Sequence, residues 1–319
     1  MKCVAAAFLL AACGIPNRPL PPLERTVRAV PTSFAAMTIT GRKTSGVTLR
    51  IYNTGAVHTK GAAVSSLKSW SSKVQLDEPF FAVKHPDQGV VLFDLGLTSE
   101  SVKPLNAGLL TGLLAKFVAF PRRDAASQLK ADGVDPESVK WIILSHLHLD
   151  HTGDLLAFPK ATIVVSKREW EDARKLNREK RDSKFLDPQV WEPRLRLRLV
   201  ELDGEPPYGA FDHGLDLFSD GTIVVVSMPG HTAGSIGAWL NLDGGPALLA
   251  GDAAWVVDNY MDMALPIARG MSDPRAYRRS LETIRAMQEA LPRLVVFPGH
   301  DLTSRKLSDR DDLPLVTPP

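Results

Sequence analysis

The 319 residues are 44% hydrophobic and 23% charged. That is enough apolar material for a large core, so a disordered chain is not expected. A formal net charge of +2, with both signs mixed along the chain, offers no phosphate-tracking surface and argues against a nucleic-acid partner.

At the N-terminus, Lys2 precedes an apolar run from Val4 to Ala12. The run is too short to span a bilayer but has the length of the apolar part of a signal peptide. Leu10-Ala11-Ala12-Cys13 resembles a bacterial lipobox, in which cleavage leaves a lipid-modified Cys13 as the mature N-terminus. Cys3 would leave with the leader, so the fold must be stable without disulfides. Gly14 through Pro22 is proline-rich and reads as a semi-rigid tether. Gly14 after the cysteine suits outer-membrane sorting, by resemblance to Gram-negative lipoproteins. The expected organisation is a signal peptide over 1–12, a lipidated N-terminus and tether over 13–40, and one folded domain over 41–319. Such a protein would be lipid-anchored in the bacterial cell envelope, on the periplasmic face of the outer membrane.

Five apolar, β-branched-rich runs follow, each ending in a polar residue of a type that can bind metal. Gly89 to Phe93 ends at Asp94, Trp141 to Ser145 at His146, Ile223 to Met228 at Pro229-Gly230-His231, Ala247 to Ala250 at Gly251-Asp252, and Leu294 to Phe297 at Pro298-Gly299-His300. They read as buried strands delivering loops to one rim. Between them, a helix is expected over about 124–132, stopped by Gly133, and another after Ser166. Asp273 as N-cap and Pro274 at the first helical position open a longer one, with Tyr277, Leu281, Ile284, Met287 and Leu291 on one face. Leu105 to Phe120 reads as a core helix, with an apolar lid as the functional alternative. The mixed charges of Lys167 through Lys184 read as an exposed helix. Arg194, Arg196 and Arg198 alternate along an expected strand as a solvated, edge-blunting face. Strands alternating with helices give a layered α/β domain.

The chemistry gathers in Ser145-His146-Leu147-His148-Leu149-Asp150-His151. Four ligand-type residues crowd one turn after a buried strand, an arrangement that is costly without a metal. Imidazole and carboxylate suit zinc, iron or manganese. HLHLDHTGD matches the HxHxDH signature of the metallo-β-lactamase superfamily, and PGHTAGS, AGDAAW and FPGHD follow in that superfamily's order. With VLFDLG around Asp94, the resemblance covers roughly residues 45 to 302.

The resemblance implies a four-layer αββα sandwich and two divalent metal ions, zinc first, with iron, manganese or cobalt as alternatives. It implies that His146, His148 and His231 bind one ion, that Asp150, His151 and His300 bind the other, and that Asp252 bridges them. Asp94 would orient ligand histidines from behind, with Thr232 helping. A two-metal hydrolase of this kind uses a metal-bridging hydroxide, with Asp150 and Asp252 as the catalytic carboxylates. Within the superfamily the chain is most similar to the N-acyl homoserine lactone lactonases, on SHLHLDHTGD, the Tyr52 to Gly55 segment, the Asp273-Pro274 helix and the closing FPGHD. The substrate expected is a small-molecule lactone or ester, and the role quorum quenching. Those lactonases carry a substrate-binding tyrosine three residues after the bridging aspartate. Here that position is Trp255, with Tyr260 or Tyr208 as possible replacements. The alternatives are a glyoxalase-II-like thioesterase, a phosphotriesterase or phosphodiesterase, and a non-catalytic metal- or ligand-binding lipoprotein.

Overall fold

The structure is a computed structural model that describes residues 26–34, 46–106, 118–179, 185–267 and 270–302. Its strands are β1 (Thr48–Lys60), β2 (Lys73–His85), β3 (Gly89–Phe93), β4 (Val118–Pro121), β5 (Trp141–Ile143), β6 (Thr162–Ser166), β7 (Arg196–Val200), β8 (Gly214–Asp216), β9 (Ile223–Ser227), β10 (Ile236–Leu242), β11 (Gly245–Leu249) and β12 (Val295–Phe297). They form a seven-stranded sheet in the order β4-β1-β2-β3-β5-β6-β7 and a five-stranded sheet in the order β12-β11-β10-β9-β8.

Alternation along the first sheet separates two apolar faces. Phe81, Phe93, Ile143 and Val164 join Val224, Val226, Trp239, Leu249 and Phe297 of the second sheet in one core, and the Phe81 and Phe297 rings lie 5.7 Å apart. Their chain neighbours Phe80, Leu92, Ile142 and Ile163 face the other way and pack with Leu129, Trp170 and Ala173. Those three lie on helices α1 (Ala125–Ala131) and α2 (Lys167–Arg178). The second sheet is covered by α3 (Pro274–Ala290), whose Tyr277, Leu281, Ile284 and Met287 are all buried. The result is the expected αββα sandwich.

Capping accounts for the helix starts. Asp124 accepts from Ser127 N to open α1, and Asp273 accepts from the amides of Arg275 and Ala276 to open α3, with Pro274 at its first turn. The apolar runs fold as β3, β5, β9, β11 and β12, each within a few residues of its expected bounds. β1 and β2, the two longest strands, lacked an apolar-run signature because Asn53, Thr54, Asp77 and Glu78 interrupt them.

Three expectations need correction. The Leu105 to Phe120 segment is not one helix: a helix ends at Asn106, 107–117 lie outside the described residues, and Phe120 is half exposed on edge strand β4, paired with β1. Of the alternating arginines, only Arg196 and Arg198 are in β7, while Arg194 sits in a single turn before it with its guanidinium 5.1 Å from the Trp191 ring. The α2 helix is not exposed all round, since Glu169, Trp170 and Ala173 are buried.

The leader, Cys13 and most of the tether lie outside the described residues. Within the stretch expected to be tether, Val27, Val30 and Phe34 pack against the main core, Phe34 edge-on to Tyr208 at 4.8 Å. Among the described residues no helix is long and apolar enough to cross a membrane.

Candidate metal centre

Strand direction brings the ligand-type residues together. β3 and β5 run parallel, as do β11 and β12. β9 is antiparallel to β10, which is antiparallel to β11, so β9 shares that direction. The loops after the carboxyl ends of these strands carry Asp94, His146 to His151, His231, Asp252 and His300 to one rim, the usual place for a site in a layered α/β fold.

Three groups converge there, each with ligand atoms within 4.8 Å of one another: His146, His148 and His231; His146, His151 and Asp252; Asp150, His151 and His300. His148 Nδ1 lies 3.0 Å from both His146 Nε2 and His231 Nε2. Asp252, 3% exposed, divides its two oxygens between the halves. Its Oδ2 lies 3.2 Å from His231 Nε2 and 3.9 Å from His146 Nε2. Its Oδ1 lies 3.2 Å from His151 Nε2 and 3.0 Å from His300 Nε2. His151 Nε2 and Asp252 Oδ1 are both buried, yet neither has a hydrogen-bond partner among the described residues. Atoms that close without hydrogen-bond geometry are oriented toward a common third point, as ligands of a cation are. The nitrogen and oxygen donors suit zinc or a similar divalent ion on each side of Asp252.

The opposite ring nitrogens are held from behind. His151 Nδ1 bonds Asp94 Oδ2 at 2.8 Å, His231 Nδ1 bonds the Gly270 carbonyl at 2.8 Å, and His300 Nδ1 bonds the Asp77 carbonyl at 2.9 Å. His146 Nδ1 lies 3.0 Å from Ser145 Oγ, which donates to Asp94 Oδ2 at 2.8 Å. Ser145 N donates to Asp94 Oδ1 at 2.7 Å. Asp94 holds φ at +56°, a left-handed conformation that Asp tolerates better than most residues. Such partners fix the tautomer that presents the far nitrogen to a metal.

Among the protein's own charges the histidines divide. Burial lowers His146 well below its ordinary pKa, aided by the charges of His151 and His148, and burial also lowers His231. Burial is the largest influence on His300 and His151 too and opposes their protonation, but Asp252 acts against it together with a second carboxylate in each case. With Glu78 it raises His300 to about 10, and with Asp94 it raises His151 well above the usual range. Burial alone would raise Asp252, yet the surrounding His300, His151 and His231 hold it far below the carboxylate range. The site therefore keeps an ionised carboxylate at its centre.

Sequence reasoning missed two carboxylates. Glu169, fully buried, accepts from Leu147 N through Oε1 and from Gly234 N through Oε2, both at 3.1 Å. It thereby ties the loop of His146 and His148 to the loop of His231. Burial raises its pKa to about 7 against the opposing bonds from Thr232, Leu147 and Gly234. Ser166-Lys167-Arg168-Glu169 has the spacing of a capping box, yet Ser166 makes no side-chain cap and the glutamate turns to the loops. Glu78, 1% exposed, is the other. The Thr232 hydroxyl bonds Glu169 and lies 2.6 Å from that of Ser235 in its own loop. Trp255 flanks both halves, its ring 5.6 Å from His231 and 6.3 Å from His300. Tyr260 is buried in the main core and Tyr208 packs against Phe34 and Trp239.

The sequence profile of the metallo-beta-lactamase superfamily matches residues 80–300. The chain belongs to that superfamily. It is a metal-dependent hydrolase with a two-metal centre, related to the N-acyl homoserine lactone lactonases. It is 31% identical over 258 residues to an N-acyl homoserine lactonase AttM of Azorhizobium caulinodans, covering 79% of this chain and 93% of that one. To the AttM lactonase of Agrobacterium fabrum it is 31% identical over 230 residues, covering 71% and 82%. Among solved structures, Bacillus thuringiensis AiiA with N-decanoyl-L-homoserine at its active site superposes with a TM-score of 0.64 at 21% identity, over 80% of this hydrolase and 93% of AiiA. The dizinc quorum-quenching lactonase AidC does so with a TM-score of 0.54 at 17% identity, over 82% and 90%. At these identities the two structures speak for the fold.

Proposed function

We propose that this hydrolase opens the ring of N-acyl homoserine lactones. The observation that carries the proposal is the division of the Asp252 carboxylate between two histidine sets, in a chain whose relatives over most of its length are lactonases. His146, His148 and His231 would hold one ion and Asp150, His151 and His300 the other, with Asp252 serving both. A pair of divalent ions supplies the Lewis acidity that activates water and polarises a carbonyl.

The chain's own residues do the rest. Asp94 and Ser145 hold His151 and His146 by their outer ring nitrogens, which would present the far nitrogens to the ions. Asp150 is partly exposed, unlike the buried Asp252, so it is the carboxylate able to carry a proton to the alkoxide leaving from the opened ring. Trp255 forms an aromatic wall beside both histidine sets, where the related lactonases place a tyrosine. Its indole N–H can donate to a carbonyl but occupies more of the pocket. No side-chain nucleophile is needed.

The test is a panel of N-acyl homoserine lactones, aliphatic lactones, thioesters and phosphotriesters offered to purified, metal-loaded protein. Lactone turnover with the others slow is expected. Turnover confined to thioesters or phosphate esters would replace the substrate and leave the two-metal hydrolase standing.

We also propose lipid anchoring in the cell envelope, on the strength of Leu10-Ala11-Ala12-Cys13. Membrane fractionation of cells expressing the native chain and Cys13→Ser tests it: equal partitioning of the two would remove the anchor.

A further inference from the structure

Glu78 has no part in the chemistry above, yet the fold aims its carboxylate at the second histidine set. The register of β1 against β2 pairs Asn53 with Pro79 and Ala56 with Asp77. Thr54 and Gly55 therefore stand opposite the single residue Glu78, a bulge of the kind that re-aims a side chain beside a site. Its backbone is pegged on both sides. Thr54 Oγ1 donates to the Glu78 carbonyl at 2.8 Å, and Glu78 N donates to Asn53 Oδ1 at 3.2 Å. From this position Oε1 comes within 3.4 Å of His300 Nδ1, and neither carboxylate oxygen has a hydrogen-bond partner among the described residues.

The bulge does not require this side chain. Its bonds use only the backbone N–H and carbonyl of residue 78, which any residue other than proline supplies. A methionine would fill similar volume without burying a carboxyl group that has no hydrogen-bond partner among the described residues, which is unfavourable for folding. The His300 ring gives the carboxylate a purpose. Its Nε2 faces Asp252, while its Nδ1, already bonded to the Asp77 carbonyl, has Glu78 as a second neighbour. A carboxyl group behind a ligand imidazole fixes the orientation of the ring and tunes it as a donor.

We propose that Glu78 is a positioning residue for the second cation: its carboxyl group backs the outer nitrogen of His300, on the half of the site served by Asp150, His151 and Asp252. The proposal rests on the two-metal centre and not on the lactone substrate, so either can fail alone.

The test uses the full chain, native and as Glu78→Gln and Glu78→Met, titrated with zinc against a chromophoric chelator, with thermal melts of the chelator-treated proteins. The second binding step should weaken about 10- to 100-fold in both variants while the first is unchanged. The Glu78→Met protein freed of metal should melt no lower than the native one. Two native-strength binding steps in Glu78→Gln would overturn the proposal, whether or not Glu78→Met folds. So would equal weakening of both steps with a lowered melt, which would make Glu78 a packing residue.

Discussion

Replacing Asp94 by asparagine isolates the orientation of one ligand. The native carboxylate accepts three bonds, from Ser145 N, Ser145 Oγ and His151 Nδ1, at 2.7, 2.8 and 2.8 Å. Asparagine tolerates the +56° φ of this position as aspartate does, so backbone strain does not confound the result. Its single amide oxygen keeps Ser145 N. Its NH2 group then takes the place of Oδ2, where Ser145 Oγ can reverse and accept but an imidazole N–H cannot. His151 must move its proton to Nε2, the atom facing Asp252, or rotate away. A bond to a charged group contributes roughly 1.5–3 kcal/mol, and every 1.4 kcal/mol is about tenfold in affinity. The second ion should therefore bind about 10- to 100-fold more weakly, the range for lost ligand partners. The first should be nearly unaffected, because His146 Nδ1 keeps Ser145 Oγ as its acceptor. Chelator competition resolving two binding steps, with circular dichroism confirming the fold, measures this. Unchanged affinity for the second ion, or equal loss at both, would refute the argument.

Asp252→Ala should bring hydrolysis down to near the uncatalysed rate and abolish binding of the ion pair by elemental analysis; retained turnover would remove its bridging role. Gly299→Ala would place a Cβ 2.4 Å from Asp252 Oδ1 and 3.0 Å from the Gly251 backbone. Since backbone cannot yield there, the carboxylate must turn, and metal affinity should fall by up to about 100-fold, read by the same titration. Glu169 gives a pH signature in chelator-treated protein. Its folded pKa of about 7 lies above the ordinary glutamate value of 4.5. The native state therefore holds the proton more tightly, and stability falls as pH rises between these values, by up to about 3 kcal/mol. Urea melts across that window should show a shallower decline in Glu169→Gln; identical slopes would remove Glu169 as their source.

The ligand-type residues were legible because each ends an apolar run, a pattern that survives without knowledge of neighbours. Glu169 and Glu78 were not. The capping-box spacing of Glu169 is indistinguishable from that of a solvated helix start, and only the approach of the Leu147 and Gly234 amides reveals its burial. Glu78 depends on a strand register that pairs Asn53 with Pro79 and Ala56 with Asp77, too far apart for local pattern to show. The four-layer arrangement came from family resemblance, since alternating strands and helices fix layers but not how two sheets face each other. The packing of Phe34 onto Tyr208 joins residues so far apart in the chain that local pattern is silent about it.

His146 to His151 come from the seven-stranded sheet, whereas His231, Asp252 and His300 come from the five-stranded one. Neither half-sandwich can chelate a pair of cations by itself. Capture must follow docking of the halves during folding, and the ions then act as a rivet across the seam. Once seated they should slow the parting of the sheets far more than they hasten their meeting.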